Sequence, residues 1–156
     1  MIQITNEIEL IRLLNTLTDT SVPVFGKMTA QHMIEHLILT VKISSNKLPH
    51  PSYFREEKAV AFKNAIIYSP IEMPVGFKAP MLTEELSPFV SPHIESAINE
   101  LQHELNYFHE FFRTNPHNTT TNPSMGELYH DEWIVFHNKH FTHHFKQFNL
   151  FQLIDL

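Results

Sequence analysis

The sequence predicts an all-α fold, a four-helix bundle in which a long proline-rich crossover joins the second and third helices. Apolar residues recur at helical spacing in four separate segments, and residues suited to capping stand in front of them. Six of the ten prolines, Pro49, Pro51, Pro70, Pro74, Pro80 and Pro88, are gathered between residues 47 and 91. At 156 residues the chain fits one domain, 1–156, with enough length to bury a core without disulfides.

Asn6 followed by Glu9 reads as a capping box, and Ile8, Ile11, Leu14 and Leu17 repeat behind it, which predicts a first helix over about 6–18. Thr29 is the expected N-cap of a second helix reaching about Ser45, with Met33, Ile34, Leu37, Ile38 and Val41 on its apolar face. The crossover then occupies residues 47–91. Good helix formers from Arg55 to Ile66 would allow one helix inside it, although Ile66, Ile67 and Tyr68 would suit an extended piece equally well. Ser91 and Pro92 read as an N-cap and first helical position of a third helix running to about Phe112. On a helical wheel Ile94, Ile98, Leu101, Leu105, Phe108 and Phe112 fall within about 80° of arc. A loop over 114–126 leads to a last helix from about Asp131 to Phe148.

Composition removes several function classes. The net charge of −6 comes without a basic cluster, so the footprint of a nucleic-acid binder is missing. The first residues lack a charged n-region followed by an apolar stretch, and no apolar run is long enough for a bilayer, so a cytoplasmic protein is expected. Zero Cys removes thiolate ligands and a cysteine nucleophile together, leaving histidine and carboxylate to bind any metal.

Histidine is the anomaly. There are 12, and His130, His137, His140, His143 and His144 fall within 15 residues of the last helix. That helix carries a broad apolar arc through Trp133, Ile134, Phe136, Phe141, Phe145 and Phe148, and His137, His140 and His144 lie inside it. His143 falls just outside its edge, while Lys139 and Lys146 are expected on the far side. Inward-facing imidazoles among aromatics are costly unless paired. Residues four apart on a helix can direct two nitrogens to one ion, so His140 and His144 form a ligand pair that needs a third member from another helix. His36 flanks the apolar face of the second helix and is the favoured candidate; His32 sits one turn earlier and nearer solvent. A buried His is often just a hydrogen-bonded core residue, and His137 or His143 could replace a member of the pair. His103 lies opposite the seam of its helix and is expected to be solvated, and His50, His93, His117 and His130 look like loop or helix-end residues. Glu35, Glu127, Asp131 and Glu132 are carboxylates near the ligand helices, each more simply explained by solvation or a helix N-terminus, and none is assigned a catalytic role.

Two stretches are informative as motifs: Met28-Thr29-Ala30-Gln31-His32-Met33-Ile34-Glu35-His36-Leu37, and Met125-Gly126-Glu127-Leu128 through Glu132-Trp133 to His140-Phe141-Thr142-His143-His144-Phe145-Lys146-Gln147-Phe148. Both resemble the DinB/YfiT-like superfamily, and more narrowly one of its branches of uncharacterised domains. The match covers the second helix and the C-terminal third, while the crossover agrees only loosely. The resemblance implies a four-helix bundle in which one His of the second helix and an H-x-x-x-H pair of the last bind a divalent metal, here His36, His140 and His144. It also implies a small-molecule substrate and one of two activities: a transferase or isomerase dependent on a low-molecular-weight thiol, or a metal-dependent hydrolase. A protein that carries the metal without turnover would look the same in sequence. Three imidazoles with an open position suit zinc, nickel, iron or copper, among which residue types do not choose, and nickel or zinc is the expected ion. A homodimer is expected from the resemblance and from apolar residues off the seams, such as Phe111. The crossover should form one wall of the pocket, because it controls access to one end of the bundle.

Overall fold

The computed structural model describes residues 1–83 and 85–153 and is mostly helical. Its elements are α1 (Glu7–Leu14), α2 (Ala30–Ser44), α3 (Glu56–Ile67), α4 (Ile94–Thr114), β1 (Thr120–Asn122), β2 (Gly126–Leu128) and α5 (His130–Gln147), followed by a short 3-10 turn (Leu150–Leu153). The four expected helices are therefore present as α1, α2, α4 and α5, and the crossover contains a helix, α3. Among the described residues no helix is long and apolar enough to cross a membrane.

Local chemistry sets most boundaries. Asn6 caps α1 by accepting from Glu9 N at 3.4 Å, but the helix stops at Leu14, short of the expected residue 18. The segment beyond it is rich in Thr and Ser, whose side chains compete for backbone partners, and Thr18 N donates to Ser21 Oγ at 2.9 Å. Thr29 caps α2 through His32 N at 3.2 Å, and Asn46 ends that helix in the left-handed region at φ 59°. The start of α4 departs from expectation. Its N-cap is His93, whose Nδ1 accepts from Ser96 N at 3.2 Å, whereas Ser91 N is drawn to the Glu35 carboxylate at 2.9 Å.

The core seam of α4, Ile98, Leu101, Leu105, Phe108 and Phe112, is buried and packs mainly on α2. Met33, Ile34, Leu37 and Val41 supply the facing surface of α2 and are fully buried. α5 lies against α2 and α3, and the N-terminal segment runs beside it. Ile2 N donates to Thr142 Oγ1 and Ile4 N to Asn138 Oδ1, both at 2.9 Å.

Between α4 and α5 the expected loop contains a small antiparallel hairpin, with Thr120 opposite Leu128 and Asn122 opposite Gly126. It bolts three elements together. The Trp133 indole N–H donates to Thr120 Oγ1 at 2.7 Å, and that hydroxyl donates to Ser44 O at 2.8 Å.

Lys139 corrects the wheel reading. It is only 8% exposed, and its ammonium donates to the carbonyls of Ile66 at 2.6 Å and of Ser69 and Ile71 at 2.7 Å. These carbonyls belong to the end of α3 and the chain after it, so the lysine caps a helix C-terminus, where a cation is favoured. Lys146 does stay outside and pairs with Glu72 at 2.6 Å.

Candidate metal centre

Burial of α5 between α2 and α3 carries its histidines inward. His140 and His144 are one turn apart, and His36 reaches them from α2. The ligand atoms of His36, His140 and His144 all lie within 4.8 Å of one another. His36 Nε2 is 2.9 Å from His140 Nε2, and His144 Nε2 is 3.2 Å from the same atom. Nitrogens held about 2.0 to 2.1 Å from a tetrahedral ion stand about 3.3 Å apart. The observed spacings are close to that.

Proton bookkeeping favours an ion at this point. His144 Nδ1 lies 2.7 Å from Gln147 Oε1, an acceptor only, so the ring's proton is at Nδ1 and the lone pair of the neutral imidazole is on Nε2. One hydrogen on His140 Nε2 would serve one neighbouring nitrogen and leave the other facing it unpaired. A dication at the centre satisfies all three lone pairs at once. The electrostatics agree with this, because burial holds the ligands neutral. The His36 pKa is pushed down to about 4, first by burial and then by the nearby His143. Those of His140 and His144 are driven well below the ordinary imidazole value by burial and by neighbouring imidazoles.

The other histidines are placed elsewhere. His137 is fully buried, its Nε2 2.8 Å from Ser44 Oγ and its ring stacked on Trp133. His143 stands beside His144 and against Phe25 without joining the three. His32 is held by Thr29 Oγ1 and Ser87 O at 2.8 and 2.9 Å. His103 is exposed, as its wheel position implies. With Glu100 and Glu104 it forms a second group spaced for a metal, but Lys42 and Lys47 already pair with those carboxylates at 3.0 and 2.9 Å.

The three imidazoles open onto a cavity of about 360 Å³. Met73, Phe77, Met81 and Leu86 of the crossover line it together with His36 and His144, so the crossover does form a wall of the pocket. None of Glu35, Glu127, Asp131 and Glu132 does. Glu35 accepts from Val90 N, Ser91 N and Gln31 Nε2; burial opposes its charge, but these bonds outweigh burial and keep its pKa low. Glu132 accepts from Tyr129 N at 2.8 Å and pairs with Lys63, which makes it a helix-start residue.

No family model, curated protein or solved structure matches this chain. The site therefore stands on its geometry.

Sequence reasoning assigned no role to Gln147. Its Oε1 orients His144, its Nε2 donates to Phe25 O at 3.0 Å, and its own carbonyl accepts from Val24 N at 2.7 Å. Gly26 permits this approach. It adopts φ +79°, and a Cβ there would stand 2.8 Å from Gln147 Nε2. The signal was a polar residue three positions after a ligand, on the same helix face.

Proposed function

We propose that the protein is a DinB/YfiT-like metal-dependent enzyme. In this reading His36, His140 and His144 hold one nickel or zinc ion, and the reaction is the transfer of a low-molecular-weight thiol to an electrophile. The observation that carries the reading is the convergence of the ligand nitrogens of His36, His140 and His144, all within 4.8 Å of one another, at the edge of a cavity. Three imidazoles leave an open position, which is the pattern of a catalytic rather than a structural site. A bound divalent ion supplies Lewis-acid stabilisation of an anionic nucleophile.

The chain's own residues would hold and orient. Gln147 fixes the tautomer of His144, and Phe136, stacked on His140 with ring centroids 5.3 Å apart, shields that ligand from water. The chain has no Cys, so the sulfur nucleophile comes from the co-substrate. In the transfer, the thiol gives its S–H proton to solvent and its sulfur forms a bond to the electrophilic carbon. The leaving group of that carbon departs with the bonding pair.

The test is a panel on metal-loaded protein: electrophiles with bacillithiol, mycothiol or glutathione, and separately ester and amide substrates. Thiol conjugation lost in His140→Ala supports the transferase. Ester or amide cleavage alone assigns a hydrolase, and tight metal binding without turnover assigns a metal-carrying protein.

A further inference from the structure

The cavity beside the triad has a chemistry of its own. Four of the six methionines, Met28, Met73, Met81 and Met125, line it. Methionine side chains are unbranched and deformable, which suits a surface that must adapt to different apolar shapes. Aromatic rings complete the lining: Phe62 of α3 and Phe77 of the crossover stack with centroids 4.8 Å apart, and Trp133 and Phe136 face in from α5. At about 360 Å³ the space lies in the range of small-molecule pockets and is too small for a folded partner segment. It equals the volume of about a dozen liquid waters, a poor filling for walls of this kind.

Charge narrows the occupant further. Three of the histidines in the lining, His36, His140 and His144, are held neutral by burial. A dication held by them would be the dominant charge at that end of the cavity and would repel a cation in the ligand.

Resting on the reading that the triad holds a metal, we infer that the organic substrate is a neutral or anionic molecule with an alkyl or aryl body of about a dozen non-hydrogen atoms. Its polar end meets the three imidazoles, and its apolar body lies between the methionines and the Phe62 and Phe77 rings. Thiol conjugation of a small hydrophobic electrophile is the reaction this would serve.

A homologous series tests it. Zinc-loaded protein is titrated calorimetrically with acetohydroxamate, butanohydroxamate, hexanohydroxamate and octanohydroxamate, whose common head binds the ion. Affinity is expected to rise about fourfold per methylene until the cavity is filled. Octanohydroxamate with a terminal ammonium should lose most of that gain, and Phe77→Ser, checked for retained helicity, should reduce the slope. A second arm uses chelator-treated protein and the alcohols butanol, hexanol and octanol, read by Trp133 emission. Because it needs no ion, it isolates the cavity's preference from the metal reading. Protein that takes no zinc but still prefers octanol would overturn the metal reading and uphold the apolar cavity. Equal binding along both series, or full binding of the ammonium-tipped chain, would overturn the inference.

Discussion

His144 Nδ1 and Gln147 Oε1 are 2.7 Å apart, and through the same amide this imidazole of the triad is tied to the Phe25 carbonyl on the cavity wall. Partners of this kind typically change metal affinity about 10- to 100-fold when removed. Gln147→Leu is expected to weaken zinc binding within that range in a competition titration with a chromophoric chelator. Gln147→Glu keeps the acceptor and should bind far more tightly than the Leu variant. Equal affinities for all three proteins would show that the contact is incidental.

Lys139 offers a stability test away from the triad. Its ammonium satisfies three carbonyls from a buried position, and burial lowers its pKa, more than the charge of Glu72 raises it. Lys139→Met leaves those carbonyls without their donor, so a loss of about 3 kcal/mol is expected. In a protein of this size that is a fall in Tm of about 10 °C by differential scanning calorimetry. An unchanged Tm would mean that water replaces the ammonium without penalty.

His137 makes the fold sensitive to acid. Burial, with His109 adding, pushes its pKa down to about 3, while an unfolded chain has it near 6.5. The folded state therefore prefers the neutral ring. Above about pH 6.5 neither state is protonated and the group leaves stability unchanged. As pH falls below that value the unfolded chain takes the proton first, and this group alone costs about 1.4 kcal/mol per pH unit until its folded pKa is reached. Thermal melts of metal-free protein from pH 7 to 4 should show a falling Tm. His137→Phe should make the fall shallower while leaving the share of His36, His140 and His144, whose buried rings are also held neutral; Ser44 Oγ retains Val41 O as a partner at 2.9 Å. Parallel profiles for the two proteins would remove His137 as the cause.

Metal affinity should respond to pH differently from free imidazole. Ligands must be deprotonated to bind, and free imidazoles would begin to lose a metal below about pH 6.5. Burial lowers His36 to about 4 and His140 and His144 well below the ordinary value. Zinc affinity is therefore expected to stay nearly level from pH 7 to 5, as long as the protein remains folded, and to fall below that. A decline beginning near pH 6.5 would mean that the apo ligands are solvated.

Much of this architecture was legible because long helices repeat. The seam of α4 and the arc of α5 follow from 3.6-residue spacing, and the same spacing turned His140 and His144 to one side and put His36 within reach. Shorter-range features were not legible in this way. Strands of three residues, Thr120–Asn122 and Gly126–Leu128, are too short to show a period. Ser91-Pro92 has the composition of a helix start, but Glu35 on α2 claims the Ser91 N–H and His93 takes the cap. Lys139 looked solvent-facing because a wheel does not show that carbonyls of Ile66, Ser69 and Ile71 wait on that side. In each case a partner distant in sequence decided the outcome.

The most direct measurement is the zinc and nickel stoichiometry of chelator-stripped protein by calorimetry, with Trp133 emission followed in parallel. Trp133 packs on Phe136 at 5.5 Å, and Phe136 stacks on His140, so nickel should quench its fluorescence as it binds. About one ion per chain is expected, with His36→Ala, His140→Ala and His144→Ala each losing most of the affinity and His103→Ala retaining it. Undiminished binding in the His140→Ala and His144→Ala proteins would contradict a metal centre at this site.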